Sequence, residues 1–500
     1  MGIQAISRYP SSADTVPKPS LPYDGSNRRR PVRDLAVIVR LPRRPAAAAA
    51  AGAGRPWRWL AAAAAAFAAL CIVALSTAPQ LAEPDDHAYQ ASIIAATQGH
   101  WLTLSTAQVH ALGAQFAQVG PSRRLADGPG GAPPAPVQWV ELPGGRWISE
   151  KDPGYPFLAA PFQRLGLIRL APLFYGALGC LGLFAGARRW LGDIGGAAAV
   201  GLFCSSGAAL IFAWRDYMPT FTDASLIAAG TGALLWALLA DEAIARRRTG
   251  TGLLGFLALE AAVFVRYTDL VVLGCAVAAV LAVRWRRAAS VPAAALGWWL
   301  GSVAAFGAGV AVFDDLVYGG PLRSGYPPGE VTFDLGAVPA NLRSMPAHLI
   351  QAMPMLVLGL AGLAWITGRR VRLSRDADEP GRLARRDFTV ALALAASWFG
   401  VWGLYAAYTW TTQPSLTTLA AVRFYVPALG AVALLGAWLV ARVPRPASLA
   451  AGVSACVVVV LFGLGVWSFH QMVPRPSSGP VPRPGLSVES TAAIMIRPAR

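Results

Sequence analysis

The chain has 500 residues, over half of them apolar and only 14% charged, with a mean hydropathy of +0.47 and a formal net charge of +17. A soluble domain carries about 25% charged residues, so this composition excludes one and indicates an integral membrane protein. The basic balance does not mark a nucleic-acid binder: no aromatic-interleaved basic face or known nucleic-acid module is present, and arginines between apolar runs are what cytoplasmic loops require.

Residues 1–56 are rich in Arg, Pro and Ala, lack apolar periodicity, and are expected to form a disordered cytoplasmic tail. The first apolar run, about Trp57 to Ala78, begins too far from the N-terminus for a signal peptide and reads as an uncleaved anchor. Further runs near 170–187, 194–213, 224–240, 251–265, 268–283, 291–312, 350–367, 388–408, 424–441 and 447–467 bring the expected number of spans to about 11. With the N-terminus inside, the Arg-rich loops at 188–193, 241–250, 284–290, 368–387 and 442–446 all fall on the cytoplasmic side. The expected fold is all-α and polytopic, with a membrane domain over 57–467 and a Pro-rich C-terminal tail over 468–500.

Three outer segments, 79–169, 313–349 and 409–423, are long enough to build a site. Within the first, Ala88–Gly99 and Thr106–Gln118 show helical apolar spacing, and Pro156 to Ile168 is short and apolar; all three read as interfacial helices. Cys71, Cys180, Cys204, Cys275 and Cys456 lie inside apolar runs without ligand or redox spacing and read as small buried hydrophobes. Trp57, Trp59, Trp190, Trp214 and Trp410 stand at span ends, as an interfacial belt does.

Ionisable residues gather at the outer ends of the spans: Asp85, Asp86 and His87; Glu150, Lys151 and Asp152; Arg215, Asp216 and Asp223; Arg266 and Asp269; Asp314, Asp315 and Arg323; His348; and Arg423. Carboxylates act as bases toward hydroxyls or amines, and cations hold phosphates, so this collection suits group transfer from a phosphate-linked donor. Arg266 and Asp269 bracket a short turn and read as a local salt bridge. Lys151 is one of only two lysines in an arginine-rich chain. No histidine shows ligand spacing, so the sequence indicates no metal site.

Asp85-Asp86-His87-Ala88-Tyr89, followed by Gly99 and Trp101, resembles the opening motif of the GT-C membrane glycosyltransferases, most of all the protein O-mannosyltransferase and lipid A aminoarabinose transferase branch. Lys151-Asp152-Pro153-Gly154-Tyr155-Pro156 is similar to that branch's Lys-Pro-Pro-Leu-Tyr segment, with Asp152–Gly154 interrupting the double proline. Arg215 through Thr222-Asp223-Ala224, Tyr318–Tyr326 and Arg423-Phe424-Tyr425-Val426-Pro427-Ala428 resemble further segments in the same order.

The resemblance implies transfer of a hexose or pentose from a polyprenyl-phosphate donor to an acceptor at the extracytoplasmic face of the inner or plasma membrane, a cell-envelope reaction. It implies catalytic roles for Asp85, as general base, and for Asp86 and Asp223. It implies donor-phosphate binding by Lys151, Arg215 and Arg423, and an acceptor or substrate loop with Tyr155, Arg323, Tyr326 and His348. No cofactor is implied beyond the lipid-linked substrate; there is room for a divalent metal without a sign of one. The competing readings are a transporter or flippase of a lipid-linked sugar and a catalytically silent assembly partner. Against transport stand the absence of an evident internal repeat and the gathering of charge at one face.

Overall fold

The computed structural model describes residues 57–78, 84–100, 103–117, 136, 138–142, 144–240, 245–285, 291–326, 331–373, 379–412, 421–442 and 446–473. The tail 1–56, and all of the tail 468–500 beyond residue 473, lie outside the described residues. The described chain is predominantly helical and polytopic: α1 Trp57–Ser76, α2 Pro84–Thr97, α3 Thr106–Ala117, α4 Gly154–Arg164, α5 Ala171–Leu191, α6 Asp193–Cys204, α7 Gly207–Trp214 and α8 Thr220–Leu239. There follow α9 Ala245–Val265, α10 Leu270–Trp285, α11 Ala293–Tyr318, α12 Val338–Ala352, α13 Leu356–Arg372, α14 Glu379–Ala406, α15 Leu429–Arg442 and α16 Ala447–Met472.

Among the described residues eight helices are long and apolar enough to cross a membrane, or up to ten if each of two bent pairs is one span. The expected span 194–213 is broken by 62° between α6 and α7. Two serines account for the break: Ser205 returns its hydroxyl to the Leu202 carbonyl, and Ser206 caps α7 by accepting the Ala209 N–H at 2.9 Å. The expected span 350–367 is instead the second arm of a 104° bend between α12 and α13. Pro354 stands at that corner without an N–H to continue the helix. The run 424–441 forms a shorter apolar helix, Val426–Arg442.

Helices α5 and α8 meet backbone to backbone. A Cβ on Gly186 would lie 2.4 Å from the Gly232 carbonyl oxygen, and one on Gly232 would lie 2.1 Å from that of Gly182. Small residues permit such an approach, which supplies dispersion contact where the hydrophobic effect between helices is weak.

The segment after α1 is more enclosed than a layer of surface helices. Helix α2 is buried on two faces: Tyr89 and Ile93, four residues apart, pack with Tyr155 and Ala159 of α4, while Ala91, Ile94 and Ala95 pack on Leu104, Val109 and Trp139. That second cover is α3 together with a small antiparallel sheet, with β1 Thr103–Ser105, β2 Trp139–Leu142 and β3 Arg146–Ser149 in the order β1-β3-β2. Strands of three and four residues carry too little alternation to be read from sequence.

The two ends of the bundle differ in chemistry. At one end Asp387, 3% exposed, accepts the indole N–H groups of Trp190 (3.0 Å) and Trp438 (3.1 Å) and faces Arg369 and Arg386, each at 3.6 Å. This cluster joins the ends of α5, α13 and α15 to the start of α14, and it turns Trp190 from an interfacial residue into a buried one. Trp214 is likewise buried and donates to the Ala78 carbonyl at 3.0 Å. Of the cysteines, Cys180 and Cys204 are buried with their sulfurs 3.6 Å apart, but Cys456 is exposed on α16. The opposite end carries the first loop and the acids and bases singled out by the sequence.

Candidate active site

Asp85 and Asp86 occupy the first turn of α2, where carboxylates complement the partial positive charge of a helix start. Consecutive residues project about 100° apart on a helix, so the two acids address different partners. Asp86 is 1% exposed and takes Arg215 on both oxygens, at 2.5 and 3.3 Å. Asp85 is held by two cations at once: Lys151 Nζ lies 3.1 Å from Oδ1 and Arg423 Nη2 lies 2.8 Å from Oδ2. Burial opposes the charge on Asp85, yet Arg423 and Lys151 outweigh it and hold the carboxyl well below the usual carboxylate range.

Both cations are fixed from behind. Lys151 follows β3, donates its backbone N–H to the Ser149 hydroxyl at 3.1 Å, and donates from Nζ to the Tyr326 hydroxyl at 3.3 Å while lying 5.0 Å from that ring's centre. Two glycines allow this placement. A Cβ on Gly325 would meet the Ser149 carbonyl oxygen at 2.3 Å, and one on Gly154 would meet the backbone of Phe264 and Val265 at 2.4–2.5 Å. Gly154 therefore serves close backbone approach to the end of α9, and it opens the first turn of α4. The Arg423 guanidinium sits 5.0 Å from the Trp410 ring centre and 4.8 Å from that of Phe424. Trp410, half-buried, thus packs on a cation of the site.

A second layer lies next to the first. Asp223, fully buried in the first turn of α8, has Arg266 Nε at 3.7 Å. Arg266 also donates to the Arg423 carbonyl at 3.2 Å and to the Thr220 hydroxyl at 3.3 Å, which ties α8, α9 and the Arg423 turn together. The local Arg266–Asp269 bridge read from the sequence is corrected here: the ion pair within 4 Å reaches across to Asp223, and Asp269 faces the same arginine from farther away. Asp152, half-buried, is pushed by burial up to about 7, against the pull of Arg266 and Lys151. The backbone N–H of Tyr267 lies against its carboxyl. In the sequence Asp152 reads as one of the outer-end acids and as an interruption of a proline pair; apart from Lys151, the charges that act on it, Arg266 and Asp223, come from distant segments.

The remaining sequence candidates are more dispersed. Tyr155 is fully buried, donates its hydroxyl to the Asp216 carbonyl and meets Tyr89 edge-on at 6.1 Å. Arg323 is exposed on the Tyr318–Tyr326 loop with its side chain against Gly320, and His348 is half-buried on α12. In that loop Leu322 adopts a φ of 64°, an uncommon conformation for a bulky residue. The structure gathers Asp85, Lys151, Tyr326 and Arg423 around one point, sets Asp86–Arg215 beside them, and links Asp223 to them through Arg266. Among the described residues no group of three or more His, Cys, Asp or Glu is placed to hold a metal ion.

No protein-family model matches the chain. No curated protein matches its sequence. Solved structures similar to it include the apo oligosaccharyltransferase of Archaeoglobus fulgidus, at 11% identity and a TM-score of 0.43 over 81% of this chain and 56% of that one. They also include ArnT from Cupriavidus metallidurans in the apo state, at 14% identity and a TM-score of 0.45, and ArnT bound to undecaprenyl phosphate, at 16% and 0.44. Each ArnT match covers 87% of this chain and 76% of that one. The chain spans about half the length, 56%, of the archaeal enzyme.

Proposed function

We propose that this protein transfers a sugar from a polyprenyl-phosphate donor to an acceptor at the extracytoplasmic face of the membrane. The observation that carries the reading is the double ion pair on Asp85. Two buried cations from segments far apart in the chain converge on the two oxygens of one carboxylate, as they would on two oxygens of a phosphate. Asp85 is then the resting counter-anion of a phosphate site. When the donor phosphate joins Asp85 on Lys151 and Arg423, the bond from the anomeric carbon to the phosphate oxygen can break toward a group whose growing charge is already neutralised. Tyr326 and the Trp410–Phe424 pair keep the two cations in place. Asp86 and Arg215 fix the first turn of α2, and Asp223 holds Arg266 against the Arg423 turn. Arginine-rich helix ends at the opposite side support a cytoplasmic position for that side and an outer one for the site.

Two measurements test this. Membranes carrying the protein, supplied with radiolabelled polyprenyl-phosphate sugars, should yield a labelled product other than the donor; no transfer from hexose or pentose donors would sink the reading. Binding of undecaprenyl phosphate to the purified protein tests the site itself. A hydrogen bond to a charged group is worth about 1.5–3 kcal/mol, so Lys151→Ala should weaken binding by about 10- to 100-fold. Lys151→Arg should recover part of it, because a guanidinium keeps the charge but not the geometry. Asp85→Asn should bind at least as tightly as the wild type, since an internal competitor for the cations is gone. Weaker binding in Asp85→Asn would show that the carboxylate is not a stand-in for phosphate.

A further inference from the structure

Transfer to a hydroxyl or amine requires a group that takes the acceptor's proton. The carboxylates of this end are mostly committed. Asp85 has two cations, Asp86 has Arg215, Asp223 has Arg266, and Asp216 has Arg169 at 3.9 Å. Asp314 accepts the Tyr267 hydroxyl at 2.8 Å, and Asp269 is 1% exposed, facing Asp223. A carboxylate paired with a cation is a weak base, because the pairing stabilises its charged form.

Asp152 differs on three counts. Among the described residues no cation lies within 4 Å of its carboxyl, the residue is half-buried and not sealed from solvent, and it is the sequence neighbour of Lys151, whose charge acts on its carboxyl. We infer that Asp152 takes the proton of the acceptor in the transfer step, while Asp85 serves as the counter-anion of the phosphate cations. The inference rests on the glycosyl-transfer reading above.

In the step, a lone pair of the acceptor oxygen or nitrogen forms the bond to the anomeric carbon. The bond from that carbon to the phosphate oxygen breaks, and its electron pair stays on the phosphate held by Lys151 and Arg423. The acceptor's proton passes to the Asp152 carboxylate and from there to water.

The surroundings tune the group for this work. Burial and the facing Asp223, Asp269, Tyr89, Tyr318 and Tyr326 oppose its ionisation, while Arg266, Lys151 and the Tyr267 N–H favour it. The balance falls at about 7, and a base poised near the working pH gives the best compromise between being unprotonated and being basic. The sign follows: the base works only when ionised, so transfer should fall as pH drops through about 7.

The test is the pH–rate profile of transfer from radiolabelled undecaprenyl-phosphate hexose and pentose in membranes, with undecaprenyl-phosphate binding measured on each purified variant. Asp152→Asn should lose transfer by about 10²–10⁴-fold, lose the acid limb, and bind undecaprenyl phosphate as the wild type does. Asp152→Glu, which keeps a carboxyl, should restore part of the rate together with an acid limb, separating lost chemistry from lost folding. Asp85→Asn should retain the limb. An unchanged limb in Asp152→Asn, or its disappearance in Asp85→Asn, overturns the assignment while leaving glycosyl transfer standing. A wild-type protein that neither transfers sugar nor binds undecaprenyl phosphate overturns both.

Discussion

Arg215→Met is expected to destabilise the protein by about 3–5 kcal/mol, the cost of leaving the partner of a buried ion pair uncompensated. The partner is Asp86, 1% exposed, with both carboxylate oxygens turned to the guanidinium. Asp86→Asn should cost a similar amount for the mirror reason. Removing both charges in Asp86→Asn/Arg215→Met should cost clearly less than the sum of the two, because neither variant then buries a lone charge. Thermal unfolding of the four proteins in one detergent checks this as a double-mutant cycle. Additive losses would show that the pair is not the unit that holds α2 to the α7 end. Undecaprenyl-phosphate binding by the double variant then measures what Arg215 gives the donor apart from this latch.

Gly154→Ala should be among the most damaging single methyls in the site. Its Cβ would fall 2.4–2.5 Å from backbone atoms of Phe264 and Val265, which cannot rotate aside as a side chain can. Overpacking of this kind costs about 1–3 kcal/mol or more, and here relief requires moving α4 or the end of α9. Movement of α4 carries Lys151, three residues ahead, away from Asp85 and Tyr326. Reduced thermal stability and loss of undecaprenyl-phosphate binding should therefore appear together. Gly274→Ala, on α10 with nothing within 4 Å of the added Cβ, is the control and should change neither. Normal lipid binding in Gly154→Ala would mean that the α4–α9 contact does not position the cation.

The helices are legible because a span is written in composition: some twenty apolar residues in a row leave the backbone one economical way to satisfy its hydrogen bonds in lipid. Each of the eleven apolar runs coincides with a helix or a bent helix pair. What composition does not encode is where a run bends. The Ser205–Ser206 break and the Pro354 corner sit inside sequence as apolar as the straight spans, and their effect depends on which carbonyls and N–H groups they take.

The site divides in the same way. Asp85, Lys151 and Arg423 can be picked out as charged residues at span ends, but nothing in the sequence pairs positions 85, 151 and 423 on one carboxylate. Trp190 and Trp410 show the limit most plainly. Both stand at span ends as belt residues do, yet one donates to buried Asp387 and the other lies over Arg423, because an indole serves a charged partner as readily as an interface. Asp152 is legible as an acid, but its raised pKa is not, since burial, Arg266, Asp223 and three tyrosines from separate segments set it.

The seam between α5 and α8 leaves no free volume into which either backbone could move, so the pair behaves as a stiff beam. Asp223 is mounted at one end of that beam, in the first turn of α8. Lys151 and Arg423, in contrast, ride on short segments outside the regular helices. A bulkier headgroup between them loads the compliant parts and not the beam. On the glycosyl-transfer reading proposed above, tolerance for the size of the sugar is therefore a property of the loops, and exchanging those loops would retune it without rebuilding the bundle.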